Sequence, residues 1–385
     1  MKITSYLFVL SVLTMGFTYI QAEPVVQKQS QKFSTYFQYA PEELQKLSGK
    51  NSTDIMSNSE LKKWDEIAVD LSQKNPGSTS RMYAYLYTAQ KEAAFLSYNA
   101  HGQFVGSLAP ISAKVLKLFF PSAPNINSDD YSETLAQVVF AKIKQRFDEE
   151  SAEMKHFPAN EDDPKLKTLP KPYIGLNTAS CKPWLLKEPQ QFMAPQPPPQ
   201  DDPYWLQQSE IVKKIAEGST EQQLQRIKFW AGKSGPKSGN WMEIANEYLF
   251  SHDVAFSKIV CFRSILAQAG MDIDIAIFCT KYTYAITRPS VVNPTIKTHI
   301  DFPRHPSYPS GHSTWSAGSA TLLSYYFPKE KNQWFQLAEE AGNSRIWAGI
   351  HYPIDHQAGW DLGSKLADMI LKSPKLCAFD SLQDN

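Results

Sequence analysis

The feature that most constrains this chain is its periodicity. From Tyr204 to Leu371, apolar residues recur at helical spacing in one segment after another, while the two-residue alternation of a half-buried strand is scarce. The spacing predicts helices over 209–217, 221–230, 240–252, 253–270, 272–288, 313–326, 334–346 and 353–371. Upstream, 81–98 reads as an amphipathic helix, with Tyr83, Leu86, Ala89, Ala93, Ala94 and Tyr98 near helical spacing. A further helix is predicted over 132–149, with helical patches at 41–47 and 59–71. Many helices and few strands must pack helix on helix, so the fold class is all-α, a bundle. The Ala-rich segments 81–98 and 263–282 are similar in order, which fits either an old duplication of a helix pair or chance likeness.

One stretch breaks the pattern. Prolines become dense from 156 to 203 and culminate in Ala194-Pro-Gln-Pro-Pro-Pro-Gln-Asp-Asp-Pro203. Such a run cannot be helix or inner strand. It is either a linker or an extended strap on the surface. Trp184, Phe192 and Trp205 give a strap something to pack, and the strap is the preferred reading. The expected organisation is an export signal over 1–22, an N-terminal helical region over 23–204 that includes the strap (156–203), a core over 205–372 and a tail over 373–385.

The signal rests on Lys2 as the only early charge, an apolar run from Tyr6 to Ile20, and Ala22 before a cut. Ile20 is larger than the residue usual at that place, so an uncleaved N-terminal anchor is the alternative. The expectation is an exported protein, periplasmic or extracellular. No later segment has 18 uncharged apolar residues (about the minimum for a span), so no integral membrane span is expected. Export permits disulfides. Cys181, Cys261, Cys279 and Cys377 allow three full pairings. Buried free thiols at Cys261 and Cys279, both in apolar helical segments, are at least as consistent. With no CxxC, a thiolate metal site is not expected.

The 385 residues are 42% apolar and 20% charged, which are globular values. Lys+Arg and Asp+Glu are both 39, so the net charge is zero. Nothing global draws the chain to nucleic acid or anionic membrane. Any anion binding must come from a local cluster, and three patterns supply one. In Lys281-Tyr-Thr-Tyr-Ala-Ile-Thr-Arg288-Pro289, two cations seven apart are expected on one helix face, with Pro289 as the stop. Two cations on an apolar stripe repel each other and cost desolvation, unless they share an anion. In Pro309-Ser310-Gly311-His312, a helix start offers N–H groups and a positive dipole end. Ser310 adds a hydroxyl, Gly311 permits close approach, and His312 is placed to hand on a proton. In Ser344-Arg345-Ile-Trp-Ala-Gly-Ile-His351-Tyr-Pro-Ile-Asp355, Arg345 brings a planar fork suited to phosphate. Asp355, four residues after His351, can accept the Nδ1–H and leave Nε2 as a nucleophile. Each piece alone is ordinary: a solvated face, a capped turn, a structural hydrogen bond. Together they form a complete site for a tetrahedral oxyanion. His299, Asp301 and His305 lie in a Pro-broken loop and are not read as a metal site.

These patterns resemble the signature of the type 2 phosphatidic acid phosphatase superfamily, which unites class A acid phosphatases, lipid phosphatases and vanadium haloperoxidases. Lys281, Arg288, Pro289, the block 309–312, Ser344, Arg345, His351 and Asp355 match throughout. Phe229-Trp230, Trp241, the helix through 267–282 and the Pro-rich block before Tyr204 resemble its soluble bacterial haloperoxidase-like branch. The likeness is strong over about 205–372, diffuse over 80–204 and absent before. It implies an all-α bundle of that type carrying an N-terminal helical extension, and a covalent bond from His351 to the oxyanion's central atom.

The expected function is hydrolysis of a small phosphorylated substrate, acid-phosphatase-like, through a phosphohistidine and without a cofactor. Lys281, Arg288 and Arg345, with Ser310 and Gly311, would clamp the oxygens. His351 would attack, Asp355 orient it, and His312 protonate the leaving alcohol. A vanadium-dependent haloperoxidase, with vanadate on His351, is the alternative, and an inactive anion-binding protein a lesser one. The upstream likeness leans to the haloperoxidase. The gap of 33 residues from His312 to Arg345 leaves little room for a cap and leans to the phosphatase.

Overall fold

The computed structural model describes residues 33–74, 79–154, 164–188, 191–232 and 238–376, all within one compact unit, Lys32–Asn385. The expected signal segment lies outside these residues. The fold is all-α: among the described residues there is no strand, and one isolated antiparallel bridge joins Ile55 to Val105. The helices are α1 Pro41–Gln45, α2 Asn58–Lys74, α3 Thr79–His101, α4 Ala109–Lys117, α5 Asp130–Met154, α6 Tyr204–Glu217, α7 Glu221–Ala231, α8 Ser238–Ser251, α9 Phe256–Tyr284, α10 Pro289–Val292, α11 Gly311–Tyr326, α12 Lys331–Trp347 and α13 Pro353–Ile370. Helix α4 had no counterpart in the periodicity. No helix among the described residues is long and apolar enough to cross a membrane.

Two helices at the centre differ from their sequence reading. The segments 253–270 and 272–288 were expected as separate helices, but α9 runs unbroken through Gly270. That glycine is a packing site, not a stop: a Cβ there would lie 1.7 Å from the Trp315 ring on α11. Helix α3 is not amphipathic, because every residue from Thr79 to Tyr98 is buried. Its polar side chains have partners inside. Arg81 pairs with Glu150 at 2.8 Å, and Gln90 donates to Ser112 at 3.0 Å. The similar Ala-rich segments thus lie in α3 and α9, which pack on each other.

Extended segments dock on this centre through buried carboxylates. Glu92 on α3 accepts the N–H groups of Tyr36 and Phe37 at 2.7 and 3.1 Å. Asp272 on α9 accepts those of Trp184, Leu185 and Leu186 at 2.6, 2.8 and 2.8 Å. Backbone donors that would pair with a neighbouring strand in a sheet are satisfied here by side chains. The described part of the Pro-rich stretch is packed down, with Trp184, Phe192 and Trp205 buried. It continues over the end of α9, where Thr280 Oγ1 accepts from Ala194 N–H, Tyr308 donates to the Pro195 carbonyl, and Gln200 Oε1 accepts from Thr287 N–H. Cys181 and Cys279 are buried free thiols. Cys261, for which a free thiol was an equal expectation, is disulfide-bonded.

Helices α11, α12 and α13 pack against one another beside α9. Glycines set the closest approach: a Cβ at Gly363 would lie 2.0 Å from the Thr314 carbonyl oxygen, and one at Gly359 2.6 Å from that of Ser310. Helix α13 therefore lies directly against the start of α11.

Candidate active site

Tyr352 caps α13, and Pro353 fits its first turn. Asp355 then sits at the third helical position, where Oδ2 accepts the Tyr352 N–H at 3.1 Å. The same oxygen lies 2.8 Å from His351 Nδ1 and accepts the Ser307 hydroxyl at 2.5 Å. On the other side of the ring, Arg288 Nη1 lies 2.9 Å from His351 Nε2. A guanidinium only donates, so Nε2 carries the lone pair and Nδ1 the proton. Burial, then the charges of Arg288 and Lys281, hold this imidazole well below its ordinary 6.5. Burial pushes the Asp355 carboxyl up, while the Ser307 hydrogen bond and Lys281 pull it back. The outcome is a neutral, oriented imidazole.

Arg288 was expected on the same helix face as Lys281. It is not on that helix. Helix α9 ends at Tyr284, Ala285 turns left-handed at φ 52°, and Arg288 is extended at ψ 152°, as a residue before proline prefers. The two cations meet through the loop 305–309 instead. Lys281 Nζ donates to the carbonyls of Pro306, Ser307 and Pro309 at 2.7, 2.7 and 2.5 Å. Arg288 donates from Nη1 to the Ile350 carbonyl at 2.6 Å, and from Nη2 to His305 Nδ1 at 3.1 Å and the Pro306 carbonyl at 3.2 Å. Arg345, near the end of α12, donates to Ser344 Oγ at 2.9 Å and to the Ile227 carbonyl at 2.8 Å. Burial lowers the Arg288 guanidinium to about 10 and that of Arg345 to about 9. The cause is the poor solvation of a cation held away from water; at Arg288 the Asp355 carboxylate works against it.

Ser310 caps α11 by accepting the Ser313 N–H at 3.3 Å. Its own N–H, expected to point at an anion, is given to the Asp355 carbonyl at 2.9 Å. Its hydroxyl and the Gly311 N–H remain as candidate donors, since a first helical residue has no intrahelical acceptor. His312 Nε2 lies 2.8 Å from the Trp230 carbonyl. A carbonyl only accepts, so Nε2 is the protonated nitrogen and proton exchange falls to Nδ1. His312 is half-buried, while Lys281, Arg288, Ser310, Arg345, His351 and Asp355 are all buried.

One loop therefore ties Lys281, Arg288, His351, Asp355 and Ser310 together, and helix α7 holds Arg345 and His312. His312 is near enough to His351 to help depress it. Three contributors escaped the sequence reading: Ser307, His305 as a partner of Arg288, and the α7 carbonyls. His299 donates to the Ala216 carbonyl at 2.9 Å. Among the described residues no cluster of three or more His, Cys, Asp or Glu is arranged to hold a metal.

The description PAP2 superfamily matches residues 258–374. An undecaprenyl-diphosphatase of Sulfolobus acidocaldarius is 41% identical over 90 residues, 22% of this chain and 42% of that protein. The match thus spans less than half of the curated relative. Among solved structures, a bacterial vanadium-dependent iodoperoxidase is similar with a TM-score of 0.70 at 20% identity, over 85% of this chain and 98% of its own. A bacterial vanadium-dependent chloroperoxidase is similar with a TM-score of 0.53 at 12% identity, over 74% and 83%. At these identities the likeness concerns the fold. Residues 258–374, which carry every site residue named in the sequence, form a PAP2 superfamily domain.

Proposed function

We propose that this protein hydrolyses phosphoric monoesters through a phosphohistidine at His351. The observation that carries the reading is the state of that ring. Nδ1–H is fixed on Asp355, Nε2 presents its lone pair toward Arg288, and the imidazole stays neutral at and below neutral pH. A phosphoryl group entering beside Nε2 meets Arg288, Arg345, the Ser310 hydroxyl and the Gly311 N–H. Nε2 attacks phosphorus, the N–P bond forms, and the bond to the leaving oxygen breaks. His312 gives its Nδ1 proton to that oxygen. Water then attacks phosphorus, the N–P bond breaks, and the water's proton returns to His312. Phosphoryl transfer asks mainly for positioning and charge stabilisation, which these side chains supply. Released phosphate from a generic monoester, lost in His351→Ala, tests the reading. Halogenation with vanadate and peroxide, without phosphate release, would overturn it.

Burial favours a second reading. The whole donor set is closed to solvent, which suits a small oxyanion held as a resident group. Vanadate fits the same donors, with His351 Nε2 on the metal and Arg288 and Arg345 on its oxygens, and it would supply the Lewis acidity that activates peroxide toward a halide. Export belongs to the proposal too. A disulfide at Cys261 is in keeping with an oxidising compartment, and cell fractionation tests it.

A further inference from the structure

Helix α7 lies at the surface, yet it holds two site residues. Of its side chains only Ile227 and Trp230 are buried, and the carbonyls of the same two residues hold Arg345 and His312. The Ile227 end is fixed by apolar packing with Ala348 and Ile350. The Trp230 end is buried against the Trp241 ring, Asn240 Nδ2 donates to the neighbouring Phe229 carbonyl at 2.9 Å, and one oxygen of α12 ties it further: Glu340 Oε1 accepts from Trp230 Nε1 at 2.8 Å and from Arg226 at 2.7 Å (Nε) and 2.5 Å (Nη2). Arg226 also lies over the Phe229 ring at 4.2 Å. Through Trp230 and Arg226 this carboxylate helps to set the place of the Trp230 carbonyl, and with it the aim of the His312 ring.

We infer that Glu340 is a positioning residue for proton transfer. By holding Trp230 and Arg226 it keeps the Trp230 carbonyl on His312 Nε2–H and so points Nδ1 at the leaving oxygen. The inference rests on the phosphatase reading and deepens it. No new reactant enters: the Nδ1 proton passes to the leaving oxygen as its bond to phosphorus breaks, and a proton from water restores it. A purely structural role would look different. The Glu340 side chain is 30% exposed, and ion pairs at such sites contribute little to stability. A structural loss would also fall equally on all substrates. A misaimed acid instead harms the substrates that need one.

The experiment compares 4-nitrophenyl phosphate, whose leaving group departs without a proton, with a simple alkyl phosphate, whose leaving group needs one. General acid catalysis contributes about 10²–10⁴-fold where it is needed. In Glu340→Ala, kcat on the alkyl phosphate should fall about 10-fold or more, against less than about 3-fold on the aryl ester. Inhibition by inorganic phosphate should be unchanged, because Arg345 keeps Ile227. Glu340→Gln, whose amide oxygen can still accept from Trp230, should recover most of the loss. Trp230→Phe removes the same bond from the other side and should reproduce the split, which keeps the test open if Glu340→Ala does not fold. Equal losses on both substrates, in either variant, would overturn the inference while leaving the phosphatase reading intact. A wild-type protein inactive on both esters overturns that reading and this inference with it.

Discussion

Replacing Asp355 by asparagine tests the orientation of His351 directly. Asparagine has one acceptor atom and one donor group, and the site decides which way it sits. Its three donors (His351 Nδ1, Ser307 Oγ and Tyr352 N–H) all converge on Oδ2, and no described residue donates to Oδ1. With the amide oxygen in the Oδ2 place, all three hydrogen bonds survive and one N–H₂ group is buried without a partner. With the amide flipped, the N–H₂ group faces the Tyr352 N–H. It also drives the His351 proton to Nε2, against the Arg288 donor. Each such mismatch costs roughly 1–3 kcal/mol, so the unflipped orientation and the native tautomer win. What is lost is charge. Nε2 attack makes the ring cationic, and a unit charge about 4 Å from a carboxylate is worth about 4 kcal/mol at an effective dielectric of about 20. Each 1.36 kcal/mol is about a factor of ten, so kcat should fall roughly 10²–10³-fold. A flipped tautomer would cost about 10⁴, the drop known for the analogous change in a serine protease triad. Nitrogen-resolved NMR of His351 reads the tautomer independently of any substrate. An Nε2–H signal in the variant, or a loss as deep as that of His351→Ala, would refute this reasoning.

Three further outcomes are expected. His351, held below its ordinary 6.5 by burial and by Arg288 and Lys281, should remain the neutral Nδ1–H form across pH 8 to about 6 in anion-free protein; an NMR titration with a midpoint near 6.5 would contradict it. Asp272→Ala removes the acceptor of three buried N–H groups and should cost about 3–6 kcal/mol in urea unfolding; a cost below about 1 kcal/mol would show that those donors find other partners. Gly363→Ala forces a methyl against the Thr314 carbonyl of a packed helix and should destabilise by about 3 kcal/mol, whereas an unchanged denaturation midpoint would mean that α11 and α13 separate freely.

What the sequence made legible was local. His351 and Asp355 are four residues apart, and the hydrogen bond between them follows from that spacing. The all-α class followed from periodicity summed over many segments. The misreadings were of two kinds. At Arg288 two local rules competed: seven-residue spacing argued for one helix face, and the following Pro289 argued for extended backbone. The steric rule prevailed, because a proline ring clashes with a preceding helical residue. Elsewhere the deciding partner was distant. Gly270 reads as a helix break until Trp315 is seen against it. The polar residues of α3 read as a solvent face until Glu150 and Ser112 are seen beside them. The bonds from Arg345 and His312 to α7 end on backbone carbonyls, which no side-chain pattern encodes.

The same carbonyls bear on what the site selects. Lys281, Arg288 and Arg345 bring three positive charges into the interior, against the single negative charge of Asp355. Carbonyls, a hydroxyl and two imidazoles orient these cations, but dipoles do not cancel a net charge. A surplus of two therefore sits among these fully buried groups, before the half-buried His312 adds the charge of its second proton, in a chain whose overall charge is zero. Burying these guanidiniums is costly, as the lowered Arg288 and Arg345 register, and a bound anion would offset that cost. A monoanion answers half of the surplus, and a doubly charged tetrahedral oxyanion answers it in full. A phosphate monoester has a second pKa of about 6. Affinity for a monoester should then weaken as pH falls through about 6; Asp355 is itself raised to about 6, so comparing esters of different second pKa separates the ligand's titration from that of the site. A binding curve that stays flat across that range would mean that shape, not the surplus charge, sets the selection.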